Sequence, residues 1–317
     1  MHASDLFERI TGQIIEAIQT GAGDFAMPWH RWGEGTAQPV NAASGRSYRG
    51  INTLLLWAAA EAAGYSSGRW GTYRQWTESG AQVRKGQKST AILFWKSAAN
   101  HEPTDTDRED AGPTRSRFVA RLYHVFNAEQ VDGDEAVSSR PVLSLTERVA
   151  AAEAFVAATG ANIRHGGDRA CYVANIDQIW LPRFEQFRDA LSYYSVLAHE
   201  TVHWSGAKHR LDRDLEGRFG SESYAMEELI AELGSAFIAG HLGLSVEPRL
   251  DHAAYVASWL RVLRDDPKAI LTASSKAQEA FDYLIGLDAQ SEQSGLSDND
   301  IDDAITIGDA FGRQAAA

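Results

Sequence analysis

His199, Glu200 and His203 stand in the pattern His-Glu-x-x-His. On an α-helix, positions i and i+4 share one face, so the two imidazoles project side by side and can hold one zinc ion. Glu200 is then placed to take a proton from the water that the ion activates. The setting suits this chemistry. Residues 187–197 form a largely apolar run of helical length without Gly or Pro, and the motif lies near its C-terminal end. The plainer alternative is a buried helix that merely carries two histidines.

Such a site needs a third ligand, and two candidates compete. The spacing His199-x3-His203-x2-Gly206-x2-His209 fits the metzincin pattern, in which a glycine turns the chain and a third histidine returns to the metal. The other candidate is Glu228, in a run that reads as a second helix capped by Ser221 or Ser223. Glu228 and Glu232 lie at i and i+4, so one carboxylate can bind the ion while the next orients a ligating imidazole. Carboxylates on an apolar helix are costly unless paired or ligated. Metzincins also want a Met in a turn beneath the site, whereas Met226 has helical surroundings. Glu228 is therefore the preferred third ligand, ahead of His209, with Glu227 and Glu232 behind.

The elements that position these residues belong to a chain of 317 residues, enough for one large domain or two ordinary ones. A single cysteine, Cys171, excludes internal disulfides and a thiolate zinc cluster and suits a reducing cytoplasm. No apolar run reaches membrane-spanning length, and the N-terminus lacks the pattern of a signal peptide, so a cytoplasmic protein with no membrane partner is expected. Net charge is −13, which argues against general affinity for nucleic acid. The charge is uneven, however. Residues 39–98 carry eight Lys or Arg against two Glu, and residues 132–317 carry 16 basic against 30 acidic side chains.

Along the chain, Ser4 and Asp5 open an amphipathic helix with Leu6, Ile10, Ile14 and Ile18 on one face. Residues 44–50 read as a basic turn-rich loop, and Asn52 as the cap of a helix ending at Gly64. Residues 69–76 read as loop-like. Strands are expected over 91–95 and 117–127, paired with each other. An acidic, weakly patterned stretch over 131–140 marks a domain boundary. Ser144-x-x-Glu147 is a capping box opening a helix that stops at Gly160. Residues 163–165 and 170–173 look like a hairpin, and 178–181 adds a strand. The last helix follows Asp266-Pro267 to about residue 284. The expectation is an α+β chain of two domains, an N-terminal α/β domain (1–131) and a mainly helical zincin-like domain with a small sheet (141–287), then a disordered tail (288–317).

The basic first half is also rich in aromatics: six of the nine Trp precede residue 98. Trp57 reads as core, whereas Trp29, Trp32, Trp70 and Trp76 sit in polar contexts near Arg. Interleaved rings and cations suit single-stranded nucleic acid, with bases on the rings and phosphates on Arg and Lys. The candidate surface comprises Arg46, Tyr48, Arg49, Trp70, Arg74, Trp76, Arg84, Lys85 and Lys88. The competing reading is a small domain whose Trp fill the core and whose Arg solvate its faces.

Three stretches of this half, 41–52 (through Tyr48-Arg49-Gly50-Ile51-Asn52), 82–86 (with Arg84-Lys85-Gly86) and 125–130 (Val125-Phe126-Asn127 to Gln130), resemble the N-terminal domain of the ArdC antirestriction family. The His199–Gly206 and Glu227–Glu232 runs resemble its C-terminal domain, and the resemblance reaches to about residue 285. It implies a single-stranded DNA-binding domain, also found at the front of some plasmid primases, followed by a zincin-type metallopeptidase domain of gluzincin type. It further implies carriage on plasmids and other mobile elements, and protection of DNA entering by conjugation from host restriction. By similarity, His199, His203 and Glu228 hold one divalent ion, zinc or manganese, and Glu200 is the catalytic carboxylate. Single-stranded DNA is the implied partner, with a host protein as a candidate substrate. The rival function is an intracellular metalloprotease whose first half recognises protein instead of DNA.

Overall fold

The computed structural model describes residues 3–21, 38–97, 118–134, 144–217, 221–244 and 252–295. Trp29, Trp32 and the segment 296–317 of the expected tail lie outside them.

In the first half, helix α2 (Ile51–Ala63) packs against a four-stranded sheet, and α1 (Ala3–Gly21) packs on α2 and on the later helix over residues 252–265. The strands of the sheet are β1 (Val40–Asn41), β2 (Arg69–Thr72), β4 (Thr90–Ser97) and β5 (Phe118–Asn127), in the order β1-β2-β5-β4. β4 and β5 pair antiparallel along their length, from Thr90–Val125 to Ser97–Phe118, as the sequence leads one to expect. The short helix α3 (Tyr73–Glu78) follows β2 directly. A two-stranded ribbon joins β3 (Gln82–Val83) to β6 (Val131–Asp132), so the start of the expected linker is paired backbone of this half.

The second half is mainly helical: α4 (Leu145–Thr159), α5 (Ala190–Ser205), α6 (Glu222–Leu242), α7 (His252–Asp265) and α8 (Ala269–Gly295). Ser144 and Glu147 form the expected capping box, and Gly160 ends α4 in the left-handed conformation. The expected hairpin is corrected. β9 (Gln178–Leu181) lies between β7 (Asn162–His165) and β8 (Cys171–Val173), parallel to the first and antiparallel to the second. Buried Ile179 and Leu181 explain this, because β9 presents the sheet's most apolar edge to the helices and takes the centre. β8 is left as an edge strand. The last helix is also longer than expected, running to Gly295 past the proposed start of the tail.

Two further expectations fail in the first half for identifiable reasons. Residues 69–76 are not loop. Thr72 and Gln75 form a reciprocal capping box that turns β2 into α3. Asn52 does not cap α2 either. Its amide donates to the Leu93 carbonyl and accepts from the Leu93 N–H, both at 2.7 Å, as a neighbouring strand would.

One buried cluster runs through both halves. Ile10, Ile14 and Ile18 of α1 and Leu54, Leu55 and Trp57 of α2 belong to the same buried cluster as Phe155, Leu197, Phe237 and Ile270. Trp57 lies 6.0 Å from Phe237, ring to ring, and a Cβ on Gly240 would come within 3.1 Å of its indole. The basic loop before α2 also stands on α8. Gly50, at φ 54°, donates its N–H to Gln278 Oε1 at 2.8 Å, and Arg49 pairs with Asp282. Among the described residues, no helix is long and apolar enough to cross a membrane.

Replacing Asn52 by Leu should destabilise the fold by about 2 kcal/mol or more, because it leaves one buried donor and one buried acceptor of β4 unmade. Denaturant titration reads this directly. An unchanged midpoint would show that those groups find water or another partner.

Candidate metal centre

The site is built where α5 crosses α6. Asp189 starts α5 by accepting the Ser192 N–H at 2.8 Å, which sets the phase of the helix. From there His199, Glu200 and His203 come round to the face that meets α6. The two helices approach closely at Gly234, where a Cβ would lie 2.9 Å from a Val202 methyl. Within two turns on the N-terminal side of that contact, Glu227, Glu228 and Glu232 of α6 face the two imidazoles. All five side chains are buried or nearly so.

The Nε2 atoms of His199 and His203 are 3.1 Å apart. Glu228 brings one carboxylate oxygen to 3.4 Å from the first and the other to 3.7 Å from the second. One ligand atom from each of the three residues falls within 4.8 Å of the other two. On a tetrahedral ion with bonds of about 2.0–2.1 Å, ligand atoms sit roughly 3.3 Å apart. The three donors thus already outline one face of such a polyhedron. The outer nitrogens have carboxylate neighbours too. Nδ1 of His203 is 3.1 Å from Glu227 Oε1, and Nδ1 of His199 is 3.7 Å from Glu232. With Nδ1–H directed at Glu227, the lone pair of His203 Nε2 points into the site.

The electrostatics agree with a cation position. Burial works against charge on His203, but the Glu227 hydrogen bond and the carboxylates of Glu228, Glu227 and Glu200 outweigh it and raise its pKa. Burial likewise opposes charge on Glu228. The hydrogen bond with His199, the charges of His203 and His199 and a bond from Tyr224 nonetheless bring it down to about 2. For Glu227, burial again acts upward, and His203 and Arg213 together hold its pKa below the usual carboxylate value. Glu227 and Glu228 are held ionised, and their negative charge favours a cation at the position between them and the imidazole Nε2 atoms, where a divalent ion would take the place of a proton.

The triad forms the floor of a cleft of about 610 Å³. Residues Asp168 to Tyr172, leading into and along β8, also line it, as do Asp214, Leu215 and Tyr224. Glu200 lies in the floor beside the two histidines. His209 does not return to it. That side chain is largely exposed and stands 3.4 Å from Asp177, whose carboxylate also pairs with Arg210. The metzincin spacing thus does not bring His209 to the two histidines in this structure. Gly206 has ordinary right-handed dihedrals (φ −77°) and makes no special turn.

The expected DNA-contacting residues divide. Trp70 and Trp76 are 1 % exposed and Tyr48 is 6 % exposed, so none offers a ring face to a base. Trp70 and Tyr48 pack with Leu56 and Val125, and the Trp76 indole donates to the Phe126 carbonyl. Arg84 is committed to the carbonyls of Glu129 and Val131, Arg49 to Asp282, and Arg74 to its neighbour Glu78. Arg46, Lys85 and Lys88 are exposed. The sequence reading missed the exposed rings of Phe94 and Tyr73 and the exposed Arg121 paired across the strands with Phe94. It also missed Arg213, which no motif flags.

Two family models match the chain in succession. Residues 4–126 match the N-terminal domain of the anti-restriction factor ArdC, and residues 150–276 match a zincin-like metallopeptidase. The protein y4eC of Sinorhizobium fredii (strain NBRC 101917 / NGR234) is 52 % identical, over 94 % of this chain and 95 % of its own. Two DNA primases TraC of Escherichia coli are 38 % and 35 % identical. The match takes in 94 % and 90 % of this chain but only 28 % and 20 % of the primases. Among solved structures, the antirestriction ArdC protein from the R388 plasmid superposes with a TM-score of 0.75 in its metal-free form and 0.71 in its Mn(II)-bound form. These comparisons have 38 % and 37 % identity and cover 90 % of this chain and 98 % of that one. An identity of that size over the whole of a plasmid-encoded relative, with both halves matched in order, leaves no separate fold to account for: the chain belongs to the ArdC antirestriction family.

Proposed function

We propose that this chain is an antirestriction protein that binds single-stranded DNA with its first half and hydrolyses an amide bond at the His199–His203–Glu228 centre. The observation that carries the hydrolytic reading is the convergence of three donors at the spacing of one ion, with Glu200 beside them in an open cleft. His199 and His203 through Nε2, and Glu228 through its carboxylate, would hold the ion. Once bound, it supplies Lewis acidity and lowers the pKa of water to about 7. Nitrogen and oxygen donors suit zinc, and the Mn(II)-bound relative supports manganese equally.

Glu200 takes the proton of the attacking water as its oxygen bonds to the substrate carbonyl carbon. It then delivers that proton to the nitrogen as the carbon–nitrogen bond breaks. Tyr224 lines the cleft and is hydrogen-bonded to Glu228 one turn along α6, which makes it the candidate donor to the carbonyl oxygen as charge develops there. His241 meets the Phe281 ring edge-on near the far end of α6 and is not part of the lining. β8, an edge strand along one wall, suits an extended peptide that adds to the sheet. A host protein is the corresponding substrate class.

For DNA, the support is the relatives' names together with the exposed basic and aromatic groups of the first half. Arg46, Lys85, Lys88 and Arg121 serve phosphates, while Phe94, with Tyr123 5.3 Å from it, and Tyr73 serve bases. The buried Trp70, Trp76 and Tyr48 hold the sheet that carries them.

Three measurements test this. Metal analysis should find Glu228→Ala without its ion and His209→Ala fully loaded, and the reverse pattern would refute the ligand set. Replacing Lys85 and Lys88 by Glu should weaken binding of a single-stranded oligonucleotide. It should also flatten the slope of log K against log salt by about 0.7 for each phosphate that is no longer neutralised. An unchanged slope would remove that turn from the interface. In a restricting host, wild type should protect entering unmodified DNA and Glu200→Ala should not. Equal protection by both would assign protection to DNA binding alone.

A further inference from the structure

Behind His203 lies a second layer that the His-Glu-x-x-His pattern does not reveal. Glu227, which accepts from His203 Nδ1, is gripped from the other side by Arg213. Nη2 of Arg213 lies 2.9 Å from Glu227 Oε1 and Nε lies 3.0 Å from Oε2, a side-on fork with two parallel bonds. The remaining donors hold the end of α5. Nη1 donates to Ser205 Oγ at 3.0 Å and Nη2 to the Val202 carbonyl at 2.5 Å. The Arg213 side chain is 4 % exposed, so this is a buried, fully directed guanidinium.

The chain from α5 to Arg213 is shaped for that placement. Leu211 and Arg213 bond back to the carbonyls of Ser205 and Gly206, and Asp212 takes the left-handed conformation (φ 47°) that reverses the backbone. Gly206 lies directly against the guanidinium. A Cβ there would be 2.7 Å from Nη2 and 2.9 Å from Cζ of Arg213. Its dihedrals would accept any residue, so what requires glycine is space for Arg213.

We propose that Arg213 is a positioning residue for the metal centre. It fixes the Glu227 carboxylate, which fixes the ring and tautomer of His203, and Gly206 is the opening that lets it do so. The inference rests on the reading of His203 as a ligand. A carboxylate left to rotate would release the His203 ring, and partners of this kind commonly change metal affinity by about 10–100-fold.

The test is a titration of metal-free full-length protein with Mn(II), followed by electron paramagnetic resonance, and with Zn(II) against a chromophoric chelator. Wild type, Gly206→Ala, Arg213→Met, the double variant and His203→Ala are compared, each checked for folding by thermal melting. Gly206→Ala and Arg213→Met should each weaken binding at least tenfold. The double variant should be no weaker than Arg213→Met, since the added methyl acts only by displacing the guanidinium. Should Arg213→Met fail to fold, Gly206→Ala decides alone, because it keeps the charge and moves it. Wild-type affinity in folded Gly206→Ala, with the ion lost in His203→Ala, overturns this inference and spares the ligand set. Wild-type affinity in His203→Ala overturns the ligand set and this inference with it.

Discussion

Glu227, Glu228 and Glu232 lie on one side of a helix whose surroundings are otherwise apolar, and burying ionised carboxylates without partners would cost several kcal/mol each. Much of the second half is arranged to meet that cost. Glu227 has Arg213 and His203, and Glu228 has both imidazoles and Tyr224. For the imidazoles to reach those positions, α5 must approach α6 at the distance that Gly234 permits, and the chain after α5 must fold back tightly enough to bring Arg213 under Gly206. A donor set for one cation is thus the outcome of a wider charge balance. The glycines mark where backbone gave way so that the charged groups could meet.

The pairing of Arg210 and Asp177 works in the same way at the edge of the cleft. Arg210 lies over the Trp204 ring at 3.8 Å and binds the carboxylate of Asp177, which also accepts from the Tyr172 hydroxyl at 2.8 Å. Tyr172 belongs to β8. The cleft wall is therefore tied to the C-terminal turn of the helix that carries the histidines, and wall and floor keep their spacing. The contribution of a cation over an indole, about 0.5–2 kcal/mol, adds to a pair that is already largely desolvated on the Arg side.

The candidate metal residues on α5 were legible because the i, i+4 spacing of a helix is local and its chemistry is uncommon. His199, His203 and Glu228 meet as their spacing suggests, and so do the caps at Ser144, Gly160 and Ser221. Legibility ended where the deciding contact was distant in sequence. Trp70 and Trp76 have polar neighbours, yet β2 and α3 turn both rings inward. Arg69 lies over the Trp76 ring at 5.5 Å and pairs with Asp134, while Arg74 faces solvent and Glu78. Alternation between faces, read strictly, separates Trp70 from Arg69 along β2. Arg84 looked like a free cation and instead terminates carbonyls from a segment 45 residues away. His209 shows the same limit from the other direction. A motif spacing placed it at the metal, and a carboxylate in the turn between β8 and β9 holds it outside.

Family matching divides the chain in two, but packing does not follow that division. Ile10, Ile14, Ile18, Leu54 and Trp57 share a buried cluster with side chains of the second half, and the Thr11 hydroxyl donates to the Pro267 carbonyl. Severing the chain between β6 and α4 would expose those side chains, each contributing roughly 1.5–3 kcal/mol when buried. It would also strip the basic loop at 44–50 of Gln278 and Asp282, which hold its last two residues. A fragment ending near residue 131 would then fail to bind DNA for want of a folded support, whether or not its surface were the correct one. The basic loop before α2 and the helices that hold the cleft thus share one buried cluster, and α8 packs against α2, α5 and α6 alike.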